Sequence, residues 1–98
     1  MSTVTVRMRV RPESEARFLE ILEDVTAKVA AHEPDCMVYA TWATREPQVY
    51  LMVEAYRSQA GRARHNELHA AIAPEFFSLL AEPPVVETLG AVIAGHPR

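Results

Sequence analysis

Residues 36–56, CMVYATWATREPQVYLMVEAY, decide how this chain folds. Two stretches rich in β-branched and aromatic residues, 36–44 and 48–56, flank a short polar link, Arg45-Glu46-Pro47. Such residues suit a pleated, half-buried surface. Pro47 stops one strand from running through the other, and a link this short leaves only antiparallel pairing. The segment therefore predicts a central β-hairpin. Alternation along its second strand separates Val49, Leu51, Val53 and Ala55 from Tyr50, Met52, Glu54 and Tyr56. In the first strand Tyr39 and Trp42 are an odd number of places apart, so they fall on opposite faces.

Upstream, residues 13–34 place Phe18, Leu22, Val25 and Val29 at i, i+4, i+7 and i+11, the stripe of an amphipathic helix. Ser14 is the expected N-cap, Glu15 suits the first turn, and Pro34 marks the end. Before the helix, TVTVRMRVR (3–11) alternates strictly, with Val4, Val6, Met8 and Val10 on one face and Thr3, Thr5 and the arginines on the other. That is a strand ended by Pro12. Downstream, Ser58 can cap a second helix over residues 59–72, and Pro74 is expected to start a further turn, EFFSLL (75–80). Pro83 and Pro84 break the chain before a last strand, VVETLGAVI (85–93), interrupted by Gly90 and followed by a loose tail, 94–98.

The order is β-α-β-β-α-β. It predicts an α+β, ferredoxin-like plan: a four-stranded antiparallel sheet with helices on one face, forming a single domain over residues 1–98 with its core at about 3–93. The strands carry apolar groups on both faces, so the face away from the helices is expected to be covered by a second copy of the chain.

The 98 residues carry 10 basic and 13 acidic side chains, a formal net charge of −3. That excludes a general nucleic-acid binder, which gathers a basic surplus on one face. No apolar run approaches the ~20 residues that span a bilayer, and MSTVTVRMRV lacks the apolar core of a secretory signal. The expected location is the cytoplasm, with no membrane partner. Cys36 is the only cysteine, which excludes an intrachain disulfide and a multi-cysteine zinc site. The glycines at 61, 90 and 95 form no phosphate-binding fingerprint, and no GxSxG nucleophile elbow is present.

His65 is the most interesting single residue, since a histidine can act as a base or phenol partner near neutral pH. In His65-Asn66-Glu67-Leu68-His69 the glutamate sits one place too late for the HExxH metalloprotease motif. His65 and His69 are spaced i, i+4 and could share a metal, but the sequence offers no third ligand, so no metal is expected. Glu54 lies on an otherwise apolar strand face, where an unpaired carboxylate is costly. It is expected to pair with Arg7 or Arg9, or to orient His65.

Glu33-Pro34-Asp35-Cys36, Tyr39, Pro47, Glu54-Ala55-Tyr56 and His65, with Pro12 and Phe18 upstream, resemble in their joint order the antibiotic biosynthesis monooxygenase family. Asp35 and Glu13 stand where that family commonly has glycine, and both are turn positions. The resemblance implies a dimeric α+β barrel, a homodimer joined through the sheet face, with a cavity between helices and sheet. It implies oxidation of a phenolic or quinol-type aromatic by O2 without any cofactor. His65 and Glu54 would then be catalytic. Trp42, Tyr50, Met52, Tyr56, Arg9 and His69 would contact the substrate. A haem-degrading branch of the fold uses an asparagine on the first strand, and residues 4–10 contain none. Two other readings remain open: a non-catalytic ligand-binding or dimerisation module, and an isomerase on a related barrel.

Overall fold

A computed structural model describes residues 1–95 of the chain. They form β1 (Ser2–Arg9), α1 (Glu15–His32), β2 (Cys36–Ala43), β3 (Val49–Tyr56), α2 (Gln59–Leu68), α3 (Ala73–Ser78) and β4 (Val85–Leu89). The four strands make one antiparallel sheet in the order β2-β3-β1-β4. This is the α+β ferredoxin-like fold that the order of elements implies.

Register decides which side chains meet. Val4 lies opposite Glu54 and Thr88, and Val6 lies opposite Met52 and Val86, so even-numbered residues of β1, β3 and β4 share a face. On β2 the parity switches: Tyr39 faces Glu54 and Thr41 faces Met52. A bulge between Cys36 and Val38 restores Cys36 to the same side, opposite Tyr56. This shared face carries the core. Val4, Val6, Met8, Val10 and Met52 pack against Phe18 and Leu22 of α1 and against Leu80, with Phe76 of α3 stacked on Phe18 at 5.0 Å between centroids. The even face of β1, apolar at Val4, Val6 and Met8, fixes this choice, because only that side of the strand can be buried without stranding an arginine.

The opposite sheet face is open. Arg7 and Arg9 lie there and pair with Glu46, and Arg9 also with Glu82. Trp42 (53% exposed) and Val85 (61% exposed) stand among them.

Three boundaries differ from the sequence reading. Pro12 opens a 3-10 turn through Ser14, and Ser14 then takes a helical conformation whose side chain makes no cap bond. The second helix stops at Leu68 rather than 72: Pro74 has no N–H to continue a helix and instead sits in the first turn of α3. β4 ends at Leu89, before Gly90. Of the expected loose tail, residues 96–98 lie outside the described residues. Among the described residues no helix is long and apolar enough to cross a membrane.

Candidate functional site

A cavity of about 410 Å3 lies between the sheet and the helices. Val4, Val6, Met8 and Met52 form its floor, Ile21 and Val25 of α1 one wall, and Ile72, Phe76 and Phe77 another. Its polar lining is concentrated in Tyr39, Glu54, Arg62, His65, Asn66 and His69. Arg62, His65 and Asn66 lie on α2 and His69 caps its end; the start of this helix is fixed by three hydrogen bonds. The Gly61 N–H donates to Ser58 Oγ at 3.0 Å, the Ser58 hydroxyl donates to Asp35 Oδ2 at 2.7 Å, and Arg57 N donates to the Asp35 carbonyl at 2.9 Å. Asp35 thus ties the end of α1 to the start of α2 and places a negative charge at a helix N-terminus, where it is favoured.

Glu33 follows the last residue of α1 and is only 6% exposed. A carboxylate at a helix C-terminus meets an unfavourable dipole, so it must be held by donors. Three converge on it: the Tyr56 hydroxyl reaches Oε1 at 2.7 Å, His65 Nδ1 reaches Oε1 at 2.8 Å, and His69 Nε2 reaches Oε2 at 2.7 Å. Burial works to raise the Glu33 carboxyl. The hydrogen bonds from Tyr56, His69 and His65 outweigh it and hold the group below the ordinary carboxylate value. Burial, reinforced by the Glu33 hydrogen bond, pushes the Tyr56 phenol far upward, so it remains a donor. With Glu33 ionised and able only to accept, the ring nitrogen facing it on each histidine carries a proton. In neutral His65, Nε2 is then the free acceptor.

His65 Nε2 lies 3.8 Å from Glu54 Oε1. The imidazole is held between the rings of Tyr39 (5.3 Å) and Tyr56 (5.6 Å) and packs on His69 at 4.6 Å. Arg62 completes the group. Its Nη1 donates to Glu54 Oε1 at 3.3 Å, its Nη2 to the Glu54 carbonyl at 3.1 Å, and its Nε to Ser2 Oγ at 2.6 Å, and its guanidinium lies 5.1 Å from the Tyr56 ring centroid. Glu54 is therefore partnered by Arg62 rather than by Arg7 or Arg9, which point to the other side of the sheet.

His65, His69, Glu54 and Met52 thus meet in one cavity. Tyr56 is fully buried behind them as a support for Glu33. Three expected substrate contacts fall elsewhere. Trp42 and Arg9 occupy the open sheet face because of their parity in the register. Tyr50 is on the helix face but beyond the cavity, packed on Phe18 and donating to Glu15 Oε2 at 2.8 Å. The sequence reading missed Glu33, Arg62 and the inward role of Tyr39. Tyr39 was within reach, since the apolar face of β1 sets the buried side and the hairpin carries it across. Nothing local marks Glu33 as buried or Arg62 as turned inward onto Glu54.

The family model for antibiotic biosynthesis monooxygenase matches residues 1–73. The chain belongs to the antibiotic biosynthesis monooxygenase family. A crystal structure from Caulobacter crescentus, described under the same family name, is 32% identical, with a TM-score of 0.85 over 93% of this chain and 89% of that one. Two more distant structures share the fold. Rv0793 from Mycobacterium tuberculosis is 18% identical, with a TM-score of 0.85 over 97% of this chain and 98% of that one. A protein from Deinococcus radiodurans is 14% identical, with a TM-score of 0.81 over 100% and 99%. None of the curated proteins compared with it matches. The matched span of this antibiotic biosynthesis monooxygenase family member ends just beyond Ile72 and so takes in Glu33, Glu54, Arg62, His65 and His69.

Proposed function

We propose that this chain is a cofactor-independent monooxygenase that oxidises a phenolic or quinol-type aromatic with O2, with His65 as the proton acceptor. One observation carries the reading. His65 is pinned through Nδ1 by a buried carboxylate, and its other nitrogen lies at the polar end of an apolar cavity of about 410 Å3. That volume falls within the range of about 300–1,000 Å3 typical of small-molecule sites.

A ring hydroxyl placed at His65 Nε2 would pass its proton there. The resulting imidazolium would be stabilised by Glu33, which also fixes the ring's orientation. Arg62, the one arginine or lysine among the residues lining the cavity, would face the oxygen anion that forms. An electron-rich phenolate can reduce O2 directly. For an anthrone-type substrate the balance closes without another reductant: the ring CH2 loses both hydrogens, one oxygen atom becomes its carbonyl, and the other leaves as water. The substrate supplies all four electrons. The apolar walls keep bulk water from the anion and its oxygenated intermediate.

We also infer that the open sheet face seats a second copy of the chain, because Trp42, Val85 and Leu89 lie exposed there beside the arginine–glutamate pairs. The activity is tested by O2 uptake across a panel of anthrones and reduced quinones. Uptake above the rate in buffer, matched by quinone formation, supports the reading. Tight binding of the same rings without O2 uptake would leave a ligand-binding module instead.

A further inference from the structure

Glu33, His65 and His69 bring a carboxylate oxygen and two imidazole nitrogens within 4.8 Å of one another. The two imidazoles come from one side of the C-terminal end of α2, spaced i, i+4, and the carboxylate from the end of α1. Two histidines and a glutamate are the donor set of three-ligand transition-metal sites that keep positions open for water or another ligand. The third ligand that the sequence could not supply is therefore furnished by the fold.

We propose that Glu33, His65 and His69 form a binding site for a divalent first-row transition metal, with Zn2+ the best fit to this donor set. The ligand atoms would be His65 Nδ1, His69 Nε2 and the Glu33 carboxylate, the atoms now joined by hydrogen bonds of 2.8 and 2.7 Å. A cation can replace the two bridging protons without removing either histidine's proton from the ring: each neutral imidazole needs only to shift its N–H to the other nitrogen. The carboxylate already carries its charge. The Tyr56 hydroxyl, 2.7 Å from Glu33 Oε1, supplies the outer hydrogen bond that orients a ligating carboxylate. Access is open from outside, because Glu33 and His69 also line a second cleft of about 300 Å3 with Lys28, His32, Arg64 and Leu68. The cations at its rim are exposed, and Lys28 is paired with Asp24.

The site does not depend on the monooxygenase reading, but one consequence does. A metal on Nδ1 obliges Nε2 of His65 to carry the proton, so the metal-loaded chain cannot take one from a substrate. On that reading Zn2+ is an inhibitor.

The test titrates the purified chain, without substrate, with Co2+ followed by its visible absorption and then with Zn2+ in competition. Wild type should bind one Co2+ per chain with the intense bands of a low-coordinate site, and Zn2+ should abolish them. His69→Ala should weaken binding by at least ~100-fold, the upper end of what loss of a mere outer-shell partner costs. Glu33→Gln should do the same, and His32→Ala, in the same cleft but outside the ligand set, should leave it unchanged. If Glu33→Gln does not fold, the comparison of His69→Ala with His32→Ala decides alone. Folded wild type that leaves Co2+ with its aqueous spectrum overturns the proposal. So does binding that is indifferent to His69→Ala or abolished by His32→Ala.

Discussion

Glu33 concentrates the chemistry of this chain in one side chain. It accepts from Tyr56, His65 and His69 at once, and each donor loses a short hydrogen bond if the carboxylate is removed. A hydrogen bond to a charged group contributes about 1.5–3 kcal/mol. Tyr56→Phe should lower stability by that amount, seen as a lower urea midpoint with an unchanged slope. A midpoint equal to wild type would mean that the Tyr56–Glu33 bond does not form. Little of this cluster is legible in the sequence. His65, His69 and Glu54 stand out there because imidazoles at helical spacing and a carboxylate on an apolar strand face are locally odd. Glu33 looks like any acidic residue at a helix end beside a proline, and Arg62 like any solvated helix position. What brings them into the cluster is the approach of α1, α2 and β3 in space, and no local pattern encodes that meeting.

The elements themselves are far more legible, because period two and period 3.6 are local properties. β1, α1 and the hairpin can all be read from spacing alone, and Pro74 does start a turn as its chemistry requires. The end of α2 cannot be read in this way, since residues 69–72 carry no strong breaker and Pro74 acts from several places downstream. Trp42 shows the other limit: the spacing puts it opposite Tyr39, but only the cross-strand register says which of the two faces the helices. The start of α2 yields a sharper prediction. Alanine is ordinarily better than glycine in a helix by about 1 kcal/mol. At Gly61, however, a Cβ would overlap the Asp35 carboxylate that bonds Ser58. Displacing that carboxylate forfeits a charge-assisted bond of about 1.5–3 kcal/mol. Gly61→Ala should therefore cost a net ~0.5–2 kcal/mol in chemical denaturation, and the loss should vanish in an Asp35→Gly background, where the space is free. An equal cost in both backgrounds would show that Asp35 does not set the limit. Asp35 thus closes the junction that carries His65.

At the scale of the whole molecule, one sheet face is spent on the core and cavity and the other is left bearing Trp42, Val85 and Leu89 beside arginine–glutamate pairs. Two such faces laid together would bury the apolar groups at the centre and leave charged pairs at the rim. Trp42→Glu puts a charge at that centre. It should convert a species of twice the chain mass into a single chain in sedimentation velocity, with the secondary structure unchanged by circular dichroism. A wild-type protein that already sediments as one chain would contradict the paired-sheet arrangement. The hollow between sheet and helices, with its polar end at His65, is the feature from which the proposed chemistry follows. The most direct measurement is the rate of O2 uptake with an anthrone, compared between wild type and His65→Ala under identical conditions. With His65 as the proton acceptor, the variant should fall by about 10²–10⁴-fold toward the rate in buffer, while still binding the ring. Equal rates in the two proteins would contradict it.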